Sequence, residues 1–182
     1  MVSQTSLQFD SIISACKDIF LQKMKDYGTA WRVLRVSSIT DQIFIKAQRI
    51  RSIEEKGMQR VAEGVDSEFR GIINYCIIAL IQLEMGPEPK LEMSETEVIR
   101  HFNHHVAKAR KLMEDKNHDY GEAWRGMRTS SMTDLILMKL LRIKQIEDNK
   151  GETLISEGIA ANYYDIFNYA VFALIKLDEE TK

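Results

Sequence analysis

Proline and cysteine are both scarce in this chain, two of each in 182 residues. The prolines stand together in Gly86-Pro87-Glu88-Pro89 and mark one boundary near the middle of the chain. Cys16 and Cys76 lie in apolar, helix-like stretches, which excludes a disulfide framework and suits small core side chains in a reducing compartment. Net charge is only −2, so bulk electrostatics do not favour nucleic acid or an anionic membrane as partner. No apolar run reaches membrane-spanning length, and the longest, about residues 72–83, is interrupted by Asn74 and Gln82. The start, Met-Val-Ser-Gln-Thr-Ser, lacks the basic residues and apolar block of a signal peptide, so a cytoplasmic location is expected. There is no P-loop, no GxGxxG, no CxxC and no nucleophile elbow. No segment alternates with period two, which argues against strands.

The chain does contain a long internal repeat. Asp26-Tyr27-Gly28-Thr29-Ala30-Trp31-Arg32 returns as Asp119-Tyr120-Gly121-Glu122-Ala123-Trp124-Arg125. Downstream, Arg35, Ser37, Ser38, Thr40, Asp41, Lys46, Arg49, Ile50, Ile53 and Glu54 find counterparts in Arg128, Ser130, Ser131, Thr133, Asp134, Lys139, Arg142, Ile143, Ile146 and Glu147. After one inserted residue the register resumes, with Glu63-Gly64 on Glu157-Gly158 and Asn74-Tyr75 on Asn168-Tyr169. Self-similarity at a fixed offset is the mark of a tandem duplication. Residues 1–86 form the first copy and 87–182 the second, expected to make one compact unit.

Apolar periodicity predicts three helices per copy. In the first copy they cover about 7–24, 38–55 and 67–85, with 27–37 a connecting loop. In the second they cover about 94–117, 131–148 and 157–179. Ser94-Glu95-Thr96-Glu97 reads as a capping box, and Ser38 and Ser131 as helix caps. The third helix of each copy is apolar nearly all round, so each is expected to bury itself against the other. The expected fold is all-α, six helices in two three-helix repeats related by a pseudo-two-fold.

Some polar residues interrupt this pattern. Ile39, Ile43, Ile50 and Ile53 form a stripe whose missing member is Lys46; Met132, Ile136, Ile143 and Ile146 form another, missing Lys139. Each lysine either snorkels to water or reaches an anion, whether a neighbouring carboxylate or a ligand phosphate. On the last helix Glu157, Ala161, Asp165 and Asn168 share one face. The asparagines either fix the register of the central helices across the two copies or serve a ligand, while Glu157 and Asp165 suit magnesium through hard oxygen ligands. Arg125 and Arg128 offer guanidinium forks for phosphate or carboxylate. Trp31 and Trp124 either cover a base or staple their loops. His101 and His105, four apart with no counterparts in the first copy, fit a solvated helix face, the commoner arrangement, or a transition-metal pair.

These residues carry a resemblance. Lys116-Asn117-His118-Asp119-Tyr120-Gly121, Lys139-Leu140-Leu141-Arg142-Ile143, Glu157-Gly158 and Asp165-Ile166-Phe167-Asn168-Tyr169 resemble the motif order of the nucleotide modification associated domain family, small helical proteins of bacteria and phages. That family is similar in layout to the MazG-like all-α nucleoside triphosphate pyrophosphohydrolases, which hold magnesium with helical acidic pairs and cleave between the α- and β-phosphates. The chain departs from these patterns at Ala161, at Gly71 where the second copy has Asp165, and in lacking an E-x-x-E pair on its fifth helix. The resemblance implies a nucleotide or other phosphate-bearing small molecule as ligand. It implies magnesium held by Glu157 and Asp165 with Glu147 or Asp148, and catalysis by Glu157, Asp165 and Lys139. Substrate contacts are then expected from Arg125, Arg128, Arg142, Asn168, Tyr120 and Trp124, and from Lys46 and Arg49 in the first copy.

Two functions follow: magnesium-dependent hydrolysis of a canonical or modified nucleoside triphosphate to monophosphate and pyrophosphate, or a non-catalytic nucleotide-sensing or protein-interaction module on the same scaffold. No membrane partner is expected, nothing points directly to nucleic acid, and a homo-oligomer is compatible. The second copy, which keeps Asp165, is the expected working site.

Overall fold

A computed structural model describes residues 1–58, 60, 62–86, 91–152 and 158–182. Among them the chain is all-α: α1 (Gln4–Tyr27), α2 (Val36–Lys56), α3 (Val65–Met85), α4 (Glu95–Tyr120), α5 (Thr129–Asp148) and α6 (Ile159–Glu180). A 3₁₀ turn at Ala30–Val33 joins α1 to α2, and its twin at Ala123–Gly126 joins α4 to α5. No described helix is long and apolar enough to cross a membrane.

Most helix ends are set by local chemistry. Ser3 caps α1 by accepting the Ser6 N–H, so this helix starts earlier than its apolar stripe. The capping box predicted at Ser94 is present, with Ser94 and Glu97 each bonding the other's backbone. Gly57 and Gly121 end α2 and α4 in the left-handed conformation, where a Cβ would be strained. The predicted serine caps are corrected: α2 and α5 begin before Ser38 and Ser131, on N-caps Arg35 and Arg128 that make no side-chain capping bond. The boundary segment 87–90 lies outside the described residues.

Helices α2, α3, α5 and α6 form the central bundle, in which α3 lies along α6 and α2 along α5; α1 and α4 flank it. On α3, Phe69, Ile72, Ile73, Cys76 and Ile77 are fully buried; on α6, Tyr163, Ile166, Phe167, Ala170 and Val171 are too. Each such large side chain contributes about 2 kcal/mol on leaving water. Burial pushes the Cys16 thiol up to about 12 and the Cys76 thiol well above its ordinary value, so both act as core hydrophobes. The α2 stripe of Ile39, Ile43 and Ile50 is fully buried, and so is the Met132, Ile136 and Ile143 stripe of α5.

The pseudo-two-fold is written into the α2–α5 contact as reciprocal bonds. Thr40 donates to Glu147 at 2.8 Å, and Thr133 donates to Glu54 at 2.6 Å. Lys144 pairs with Asp41 at 2.9 Å, and Arg51 with Asp134 at 3.7 Å. The asparagines are equally symmetric. Asn74 donates to the Cys16 carbonyl at 3.0 Å, and Asn168 to the Ala109 carbonyl at 3.1 Å. They therefore tie the third helix of each copy to the first helix of the same copy, which corrects the expectation of a bond across the copies.

Burial raises both Glu54 and Glu147 above the ordinary carboxylate value, outweighing the threonine bonds that favour ionisation. A raised folded-state pKa means that the native protein holds these protons more tightly than the unfolded chain. Stability associated with the protonated form is complete below the unfolded value of about 4.3 and declines as pH rises through the folded value. The double variant Glu54→Gln/Glu147→Gln should therefore melt at a higher temperature than the parent at neutral pH and show no such gain near about pH 4. Thermal melts followed by circular dichroism at the two pH values check this.

Candidate functional site

The two copies place the same lysine pair around different residues. In the second copy Asp165, buried on α6, receives Lys116 from α4 at 2.8 Å on Oδ1 and Lys139 from α5 at 2.9 Å on Oδ2. One carboxylate thus clamps three helices, and Lys139 reaches an anion rather than open water. The counterparts in the first copy are Lys23, Lys46 and Gly71. A Cβ on Gly71 would lie 3.0 Å from Lys46 Cε and 3.2 Å from its Nζ, so the Lys46 side chain leans over the missing side chain.

That missing carboxylate leaves space. A pocket of about 440 Å³ opens between α1, the Trp31 turn, α2 and α3. Its walls divide by chemistry. Phe20, Met24, Trp31, Leu34 and Ile78 supply an apolar side, while Lys23, Lys46, Arg70 and Ser67 supply a polar, cationic one. Ser67, Arg70 and Gly71 lie in the first two turns of α3, whose dipole adds positive potential there. Glu68 holds Lys46 at 3.4 Å and Arg49 at 2.9 Å, and Asp66 holds Arg70 at 2.9 Å. Lys23 is exposed and has no ion-pair partner among the described residues. The pocket therefore carries an excess of positive charge. A second, more open groove of about 560 Å³ beside the chain's start is bordered by Glu114, Glu122 and Arg110, and suits an anion poorly.

The remaining predicted residues are dispersed. Trp124 is buried and stacks on Phe172 at 4.2 Å, with the Arg125 guanidinium 4.5 Å from its ring, so it staples its loop. Arg125 is fully engaged: it reaches Glu179 at 3.0 Å, Glu122 at 3.2 Å, and Thr5 and Gln8 at 2.7 Å each. Trp31, by contrast, meets Phe20 edge-on at 6.4 Å and lines the first-copy pocket. Arg128, Arg142, Asp148 and Tyr120 are exposed. Asn168 is committed to Ala109, and Glu147 to Thr40. Glu157 lies outside the described residues. Among the described residues Asp165, Glu147 and Asp148 do not form a three-ligand group, and both Asp165 oxygens are taken by ammonium groups. Sequence reading favoured the second copy; the pocket lined by the lysines lies in the first. Lys116 and Lys23 went unselected, although both open the repeated Lys-x-x-Asp-Tyr-Gly stretch.

Fold and site together define a duplicated all-α protein with one carboxylate-filled lysine clamp and one open one. The model of the nucleotide modification associated domain 1 family matches residues 23–83 and again 116–177. The chain belongs to that family, with two copies of its unit in tandem. No curated protein and no solved structure matches the chain.

Asp165→Asn keeps the shape and removes the charge, leaving Lys139 partly buried beside Lys116 without a counter-ion. Unfolding in urea should show a loss of about 2 kcal/mol, between the values for exposed and fully buried pairs. A change within measurement error would mean that the clamp does not hold the three helices together.

Proposed function

We propose that the first copy binds a phosphate-bearing nucleoside in the pocket between α1, α2 and α3, with the anionic group seated between Lys23 and Lys46. The observation that carries this reading is the second copy, where the equivalent lysines close on the Asp165 carboxylate at 2.8 and 2.9 Å. The first copy keeps the lysines and replaces the carboxylate with Gly71, which leaves the anion to be supplied from solution. Beside the clamp, the Trp31 ring, braced edge-on by Phe20, offers an apolar face suited to a base. The family's name, which links it to nucleotide modification, supports a nucleotide over other anions.

The geometry supports a binding or sensing role more than hydrolysis. Pyrophosphohydrolysis with magnesium needs carboxylates free to hold the ion. Of the four expected to do so, Glu157 lies outside the described residues, Asp165 is neutralised by two lysines, Glu147 accepts from Thr40, and Asp148 joins neither of these two in a three-ligand group.

Substitution at a single position separates the open clamp from the filled one. Gly71→Asp supplies the missing carboxylate, and the flexible end of Lys46 can yield the few tenths of an ångström it needs. Calorimetric titration with canonical and modified nucleoside mono- and triphosphates should show saturable binding to the parent. Gly71→Asp should abolish that binding while leaving the melting temperature equal or higher. Lys23→Ala should weaken it about tenfold, as expected for loss of one charge-assisted contact. Binding that survives Gly71→Asp unchanged overturns the pocket assignment, and pyrophosphate release with magnesium would favour the hydrolytic reading instead.

A further inference from the structure

His101 and His105 are not on a solvated face. Both are buried, at 5% and 4% exposure, and both turn toward Glu84 at the end of α3. Glu84 Oε2 lies 3.4 Å from His101 Nδ1 and 2.9 Å from His105 Nε2. All three donor atoms fall within 4.8 Å of one another, the one such grouping of metal-capable side chains among the described residues.

We infer that Glu84, His101 and His105 form a binding site for a zinc-like divalent transition ion. Donors about 2.0–2.1 Å from a tetrahedral ion stand about 3.3 Å apart, and the two Glu84 contacts bracket that value. Two imidazoles and one carboxylate suit zinc and its neighbours, whereas magnesium prefers an all-oxygen shell. The outer contact fits as well. His105 Nδ1 is 2.7 Å from the Tyr164 hydroxyl; with Nδ1–H donated to that oxygen when an ion displaces the proton facing Glu84, the ring is held in place and its Nε2 lone pair faces the ion. Arg100 lies 3.3 Å from His101 Nε2, but its side chain is exposed and free to turn away. Glu84 is 44% exposed, which leaves a route for the ion and room for a fourth, water ligand.

The site owes nothing to the repeated frame. The counterparts of His101, His105, Tyr164 and Glu84 in the other copy are Gln8, Ile12, Arg70 and Asp178. Helix packing common to both copies therefore does not account for the cluster. A bound ion would join α3 to α4 from either side of the boundary between copies.

The test uses the full chain freed of metal by chelator. Zinc titrated against a chromophoric competitor should bind at one equivalent, and magnesium should not compete. Cobalt at the same site should give the visible absorption of a tetrahedral ion. His101→Ala and His105→Ala should each lower zinc affinity at least about 100-fold, and Tyr164→Phe about tenfold. Because removing a buried imidazole can itself disturb the fold, Glu84→Gln, at a half-exposed position, serves as the second variant, with circular dichroism confirming its helices. It should lose most of the zinc affinity and the cobalt spectrum. Absence of saturable zinc binding to the parent overturns the inference. So does binding unchanged in Glu84→Gln, because the ion would then sit elsewhere.

Discussion

The burial of α3 against α6 is the constraint on which the rest of the structure depends. Each helix is apolar nearly all round, so a single three-helix copy would leave one long face of it in water. Only the partner copy covers that face, and a two-fold-like arrangement lets both copies do so with the same surface. The polar pairs at α2–α5 then fall into reciprocal positions. Thr40 with Glu147 and Thr133 with Glu54 are the same bond made twice. These bonds do little for net stability, since both glutamates are held partly out of water at some cost. Their role is register: slipping α2 past α5 by one turn would strand two carboxylates and two hydroxyls together.

A shared frame makes a single-residue difference chemically decisive. Gly71 and Asp165 hold the same place in the repeat, and Lys23 with Lys46 lines the pocket in the first copy where Lys116 with Lys139 closes on the carboxylate in the second. With a carboxylate present the three helices are clamped; without it a pocket remains. Magnitudes indicate what such a pocket can hold. An ammonium–carboxylate pair near a protein surface attracts with about 4 kcal/mol at 4 Å, most of it offset by desolvation. Two lysines alone, one already shared with Glu68, would bind a simple anion weakly. The apolar wall of Phe20, Met24 and Trp31 has to contribute the larger share. A ligand with both an anionic group and a flat apolar body meets that requirement, and inorganic phosphate does not.

Much of this was legible in the chain because the duplication acts as an internal control. Helix number and the buried stripes follow from apolar spacing, and a lysine inside such a stripe signals an anion nearby, as Lys139 finds in Asp165. The pairing partners were harder to read. Lys116 and Asp165 are 49 residues apart on different helices, and periodicity within one helix says nothing about which residue of another it meets. Trp31 and Trp124 stand in the same motif but have different fates. The residue opposite decides: Phe172 stacks on Trp124, whereas its counterpart Ile78 offers no ring. The histidines were misread for a related reason. Their burial depends on how α4 crosses the end of α3, and no periodicity reports a crossing.

The differences between the copies are of two kinds, and the distinction bears on function. Some are compensated. Gln82 donates to the Arg32 and Leu34 carbonyls to hold the first tryptophan turn, and Lys176 in its place donates to the Arg125 carbonyl at 2.8 Å. The residue changes and the structural task is kept. Others are not. Gly71 does nothing that Asp165 does, and Ile12 and Gln8 do nothing that His105 and His101 do. Compensated differences follow from fold maintenance alone, since either solution satisfies the same backbone groups. Uncompensated ones alter charge, cavity or donor atoms at positions where the fold has already shown that it accepts the alternative. In a duplicated chain those positions are where chemistry can vary while the fold is kept, and here they mark the open lysine clamp on one side and the two-histidine, one-carboxylate cluster on the other.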